Sequence, residues 1–157
     1  MNDSIVIVEF EQKYIEGVKK VVHTVMSALR PDYKPKDPRN ADLDNVDDIY
    51  GGKGKFWVAK DGDRVIGTVA IQEKTPQKAN VKRLFLLPEY RGKGIGKMLL
   101  LHALNHCRRQ NFQEVTLITS TYAADAQRLF QHVGFQKTDK TFDFDKTLVH
   151  YRLSLKI

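Results

Sequence analysis

The sequence predicts one α/β domain in which a mixed, mostly antiparallel sheet of six to seven strands is flanked by about four helices. Three observations carry that prediction. Stretches with apolar residues at three- and four-residue steps alternate along the chain with short runs rich in β-branched and aromatic residues. A tight Asp61-Gly62-Asp63 turn joins two of those runs into a hairpin. At 157 residues the chain can bury a core without disulfides, and its single cysteine, Cys107, can form none internally. Residues 1–157 read as a single domain, with no internal repeat or low-complexity segment.

The β-rich run from Ser4 to Phe10 is expected to start the sheet. From Tyr14 to Leu29, apolar residues at Tyr14, Ile15, Val18, Val21, Val22, Val25 and Leu29 line one helical face, and Pro31 ends the helix. Residues 31–48 hold three of the five prolines and six aspartates against three cations, so this segment reads as an acidic loop or broken helix. Strands follow at Lys55 to Lys60, Arg64 to Gln72, and Asn80 to Pro88, where proline must end the ladder. A leucine-rich helix runs through Lys97–Gln110, with Arg108 and Arg109 at the end that suits cations. After a strand from Glu114 to Ser120, Ala126, Leu129, Phe130 and Val133 make a short helical stripe closed by Gly134. Two strands complete the chain, and along the last one Tyr151 and His150 point to opposite faces.

The formal charge of +7 favours an anionic partner. Nucleic acid is disfavoured, because there is no basic tail, zinc spacing or aromatic RNA-binding pattern. No apolar run reaches the roughly 20 residues of a membrane span, and the first ten residues lack a secretory pattern. A cytoplasmic protein without membrane association is expected, as a monomer or homodimer. His102 and His106 stand four apart on a helix, but no glutamate follows His102 as in H-E-x-x-H and no third ligand is apparent. They read as a surface or core pair, Trp57 reads as core, and no metal is expected.

The stretch Tyr90-Arg-Gly-Lys-Gly-Ile-Gly-Lys97 packs three glycines and three cations between a strand and a helix. G-x-G-x-x-G would need glycine where Lys97 stands. The ATP-binding pattern G-x-x-x-x-G-K-[ST] would need glycine at Arg91 and a hydroxyl at Met98. Both fail, yet a glycine-rich turn feeding a helix N-terminus still presents free backbone N–H groups to an anion. Arg91, Lys93 and Lys97 add charge around that point, and a phosphate-bearing ligand follows.

"LFLLPEYRGKGIGKMLL" resembles motif A of the GNAT superfamily of N-acetyltransferases, whose Arg/Gln-x-x-Gly-x-Gly/Ala pattern is met by Arg91, Gly94 and Gly96. "AQRLFQHVGFQKTD" resembles the family's motif B, and the order of elements is similar over nearly the whole chain. The resemblance implies a GNAT fold and acetyl-CoA as cosubstrate. Its pyrophosphate would lie on Arg91, Gly92, Lys93, Gly94, Ile95, Gly96 and Lys97. Its pantetheine arm would pair with Leu84, Phe85 and Leu86 where the sheet splays open. A bulge in that strand often leaves an N–H free to polarise the thioester.

Function follows as acetyl transfer to a primary amine by direct attack in a ternary complex. An acyl-cysteine route is disfavoured, since Cys107 lies within a helix. The sequence departs from the family at three positions. Phe130 stands where a proton-donating tyrosine is usual, Ala123 where an asparagine is frequent, and Asn80 where a glutamate is common. Tyr122 and Tyr151 are substitute acids and Glu73 a substitute base, while solvent can also carry the proton. These departures motivate an alternative, a CoA-binding sensor with weak or no turnover. The acidic segment Asp37 to Asp48 points to a cationic amine acceptor.

Overall fold

The computed structural model describes residues 4–120, 124–143 and 146–155. Seven strands form one sheet in the order β1-β2-β3-β4-β5-β7-β6. They are β1 (Ile5–Glu9), β2 (Lys55–Asp61), β3 (Arg64–Thr75), β4 (Lys78–Leu86), β5 (Glu114–Ser120), β6 (Gln136–Asp143) and β7 (Lys146–Ser154). All neighbours run antiparallel except β4 and β5, so the sheet is mixed and mostly antiparallel, as the sequence predicts.

Four α-helices are α1 (Ile15–Leu29), α2 (Val46–Ile49), α3 (Ile95–Arg109) and α4 (Ala124–Val133). Two short 3-10 turns matter for the site, Pro38–Asp44 and Pro88–Tyr90. The acidic segment is thus a broken helix, capped at Asp37 by its own side chain. α3 begins at Ile95, earlier than apolar spacing implied, because Gly94 already serves as N-cap.

Helices cover both faces of the sheet, and β2 shows how. Trp57 turns to α3, its ring edge-on to His102 and His106 at 5.4 and 5.0 Å. Its neighbour Phe56 turns to the opposite face, against Tyr50 and Phe10. On α1 the inward stripe is Val18, Val21, Val22 and Val25, all buried. On α3 the buried set includes Leu99, Leu100, Ala103, Leu104 and Cys107. Burying each such side chain contributes roughly 1.5–3 kcal/mol. Trp57 is core, as expected, and His106 is tied down through Nε2 to the Lys53 carbonyl at 2.9 Å.

The sheet is not continuous in the middle. β4 and β5 pair only at Lys78–Glu114, Ala79–Val115 and Asn80–Thr116, after which they part. Leu84, Phe85 and Leu86, on the fourth of seven strands, are therefore only partly buried. An interior strand with half-exposed apolar residues is a strand with an open side. Among the described residues, no helix is long and apolar enough to cross a membrane.

Candidate functional site

The glycine junction follows β4 directly. Leu87 is buried, the 3-10 turn Pro88–Tyr90 reverses the chain, and Arg91 is extended. The turn is pinned to the β2–β3 hairpin by the Tyr90 hydroxyl, which donates to Asp61 at 2.6 Å, and by Arg64, which donates to Glu89 at 3.1 Å. Gly92 and Gly94 then take φ of +78° and +80°, the left-handed region where side chains with a Cβ are strained.

A Cβ built on either glycine meets nothing within 4 Å, so both face open space. Gly94 caps α3 with no side-chain hydrogen bond, and the first turn of α3 holds no acid. The earliest helical bond is Met98 N–H to the Gly94 carbonyl, at 3.1 Å, which leaves the N–H groups of Ile95, Gly96 and Lys97 without helical acceptors. The arrangement sets backbone N–H groups at an open helix start in a stretch that carries Arg91, Lys93 and Lys97, a combination suited to a phosphate oxyanion. Leu129 of α4 stands 3.6 Å from a Cβ on Gly96, and Lys97 Nζ lies 3.4 Å from His132 Nε2, so α4 forms the second wall.

Above the junction, β4 carries a bulge. Thr68 pairs with Phe85 and Ala70 with Lys82, which leaves an extra residue on β4 between them. Arg83 sits in it with φ of +56°; among described non-glycine residues only Asn111, at +63°, is also positive. The Thr68 hydroxyl, fully buried, donates to the Arg83 carbonyl at 2.6 Å. Arg83 Nε and Nη2 donate to the two Asp42 carboxylate oxygens at 3.0 and 2.5 Å, and Nη2 also reaches the Arg39 carbonyl and the Asn40 side chain. The Tyr50 hydroxyl donates to Asp42 as well, at 2.5 Å.

Burial alone would raise the Asp42 carboxyl, but the bonds from Arg83 and Tyr50 outweigh it and hold its pKa below the ordinary value. Burial, and then the Asp42 carboxylate, pushes the Tyr50 hydroxyl well up. Burial and then Lys74 lower the Lys82 ammonium.

This network redirects the acidic segment. Asp37 is bound by Arg39, Asp42 by Arg83, and Asp44 by Lys19 at 3.3 Å. Three of the five carboxylates between Asp37 and Asp48 are thus engaged by the protein's own cations.

Of the substitute proton carriers, the described ones, Glu73 and Tyr151, stand apart, each with its own partner. Glu73 accepts the Lys53 backbone N–H at 2.9 Å and so holds the turn before β2. Tyr151 is almost fully buried, donates to Gln127 at 2.9 Å and stacks edge-on with Phe130 at 5.8 Å. His150, on the opposite face of β7, lies 3.0 Å from the Thr141 hydroxyl. Tyr122 and Ala123 lie outside the described residues. Burial pushes the Cys107 thiol up to about 12, which removes it as a nucleophile. A bulge in this strand was expected from the resemblance, but sequence reasoning missed that it falls at Arg83 and that Thr68 and Asp42 hold it, because register and partners show only once the strands are paired.

A groove of about 690 Å³ opens far from the glycine junction, between β1 and α3, lined by Trp57, His102, His106, Glu9, Lys55 and Arg109 among others. It contains no residue of the cradle or the bulge.

Comparison with known proteins bears on this arrangement. A sequence profile of the "Acetyltransferase (GNAT) family" matches residues 22–135. N-acetyltransferase 8 of Rattus norvegicus is 34% identical over 151 residues, covering 89% of this chain and 61% of that protein. N-acetyltransferase family 8 member 2 of the same species is 36% identical over 108 residues, covering 65% and 48%. The chain thus spans about half the length of the curated relatives it matches. A Streptococcus agalactiae acetyltransferase superposes with a TM-score of 0.87 at 21% identity, covering 98% of this chain and 99% of that one. The Salmonella typhimurium putative acetyltransferase yncA, solved with acetyl-CoA, gives a TM-score of 0.78 at 16% identity, covering 98% and 95%. At these identities the likeness is one of fold.

Proposed function

This chain belongs to the GNAT acetyltransferase family, and from that premise we propose that it transfers an acetyl group from acetyl-CoA to a primary amine by direct attack in a ternary complex. The observation that carries the reading is the cradle at Gly92–Lys97. Two open left-handed glycines start a helix that has neither an acid nor a side-chain cap, and they follow the strand whose far edge is unpaired.

Gly92, Lys93, Gly94, Ile95, Gly96 and Lys97 would hold the pyrophosphate through backbone N–H groups, with Arg91 and the lysines supplying charge. The open edge of β4 at Leu84, Phe85 and Leu86 would take the pantetheine amides as a strand takes its neighbour. The residues present fit the group. When bound, acetyl-CoA supplies the activated acyl group that a neutral amine attacks.

An amine resembling lysine, with pKa near 10.4, is almost all ammonium at pH 7 and must lose a proton first. Glu73 is engaged with the Lys53 backbone, so we assign that proton to water rather than to a carboxylate. In the step itself a C–N bond forms and the C–S bond breaks. Phe130 has no proton for the departing sulfur, which leaves Tyr122, two residues before Ala124 in the sequence, as the acid candidate. Tyr151 is assigned to packing, because its hydroxyl already serves Gln127. The acceptor is proposed as a primary amine without a requirement for further positive charge, since the nearby aspartates are largely matched within the protein.

The test is a titration with acetyl-CoA by thermal shift and calorimetry, followed by an amine panel read out as free CoA thiol. Binding with thiol release supports the transferase. Buried Phe130, packed at 6.1 Å against Phe135, favours a second reading as a CoA-binding sensor, and binding without thiol release from any amine would select it.

A further inference from the structure

We propose that Arg83 is a positioning residue for acyl transfer: its guanidinium, held by Asp42, fixes the β4 bulge so that the Leu84 N–H points into the fork between β4 and β5. The proposal rests on the acetyl-transfer reading above and on the bulge N–H that the family resemblance implies, and adds only the side-chain anchor that holds the bulge in place.

Three observations meet at this residue. First, the peptide between Arg83 and Leu84 is trans, so its C=O and N–H point in opposite directions. The C=O is drawn towards β3 by the buried Thr68 hydroxyl. The N–H is thereby turned away from β3, towards the side where β4 has no strand partner beyond Asn80. A donor fixed at that edge is what a carbonyl gaining negative charge requires.

Second, Arg83 is held in the left-handed region without being a glycine or an asparagine, the residues that visit it routinely. Such a conformation persists only where its surroundings over-determine it. Here they do. Four hydrogen bonds from Nε and Nη2 anchor the side chain to Asp42, Arg39 and Asn40, and the guanidinium stands 6.0 Å from the Phe85 ring centre.

Third, the anchor is itself anchored. Asp42 receives the Tyr50 hydroxyl, while Asn40 donates to the Tyr33 hydroxyl, which lies 2.5 Å from His23 Nδ1 on α1. A continuous chain of polar contacts therefore runs from α1 through the Pro38–Asp44 turn to the bulge. The wall over β4 and the orientation of the bulge amide become one unit. An ion pair serving stability alone would have no need of a strained backbone at the irregular point of β4 beside its open edge.

The experiment follows the Leu84 amide by ¹H–¹⁵N NMR with CoA and with acetyl-CoA, alongside kinetics with the best amine of the panel. In the unmodified protein, Gly94 and Gly96 amides should move with both ligands, and the Leu84 amide should move further downfield only with acetyl-CoA. In Arg83→Met and Asp42→Asn the glycine shifts should persist, the acetyl-specific Leu84 shift should vanish, and kcat should fall roughly 10-fold with the KM for acetyl-CoA within 2-fold.

Arg83→Gly separates positioning from strain, since glycine adopts φ of +56° freely. It should fold at least as well as Arg83→Met yet show the same kcat loss. A Leu84 response and kcat retained in Arg83→Gly and Arg83→Met would overturn the proposal. Absent glycine shifts in the unmodified protein would instead overturn the acetyl-CoA reading, and the proposal with it.

Discussion

Replacing Gly94 with alanine separates a glycine kept for backbone geometry from one kept for a ligand. Gly94 has φ of +80° and ψ of 6°, and a Cβ there meets nothing within 4 Å. The folded protein therefore suffers no clash, only the left-handed strain of about 1–2 kcal/mol. For a domain of this size that lowers Tm by roughly 2–8 °C. The same methyl would occupy the space in which the pyrophosphate must approach Ile95, Gly96 and Lys97. Losing one charge-assisted N–H bond costs about 1.5–3 kcal/mol, so acetyl-CoA should bind roughly 10- to 150-fold more weakly by calorimetry. Gly94→Asn supplies the control, because asparagine tolerates the left-handed region. It should regain most of the Tm and little of the affinity. An acetyl-CoA Kd within 2-fold of the unmodified protein in both variants would refute the cradle, and leave the glycines a purely geometric role.

Four further outcomes follow from the structure. Tyr122→Phe should lower kcat about 10²-fold with little change in KM if Tyr122 protonates the leaving thiolate, whereas Tyr151→Phe should retain kcat and lose about 1 kcal/mol in thermal melts, as its bond to Gln127 disappears. Burial, and then Arg109, lowers the His102 imidazole, and burial likewise lowers His106 despite its bond to Lys53. Both rings are therefore favoured neutral in the native state, while the unfolded chain takes up protons near pH 6.5. Stability from this source should be complete above that pH and fall as pH drops through the depressed native values, so Tm should decline from pH 7.5 to 5.5 and decline less in a His102→Gln/His106→Gln variant. Cys107, buried with its thiol at about 12, should resist a disulfide reagent in the native protein at pH 8, and Cys107→Ala should keep turnover. Leu99→Ala, at a fully buried position on α3, should cost about 3–5 kcal/mol in denaturant melts.

What the sequence revealed and withheld divides along a physical line. The shape of the turn at Gly92–Lys97 was legible because glycines and a proline at fixed offsets act locally, and the chain folds there much as those residues dictate. The hairpin at Asp61–Asp63 and the α1 stripe were legible for the same reason. Arg83 was not, since its meaning depends on Asp42, a partner 41 residues away, and on a bulge that exists only once β3 and β4 are in register. The aspartates of residues 31–48 are legible only in part for the same reason. Composition shows charge, but only the fold shows that Arg39, Arg83 and Lys19 stand against it. Tyr151 and His150 were correctly placed on opposite faces by strand alternation, while choosing the buried one required the position of α4.

The fork between β4 and β5 carries a consequence for the whole molecule. Among the described residues, three parallel residue pairs make up the β4–β5 ladder, the seam that joins a four-stranded half to a three-stranded half, with the Gln77 carbonyl and the Thr116 hydroxyl adding bonds at the same end. A ligand laid along the open edge of β4 would act as a removable splint across that seam, and binding only the native form would raise stability in proportion to the logarithm of its concentration. Resistance to unfolding and to added protease would then rise with the concentration of a ligand bound along that edge.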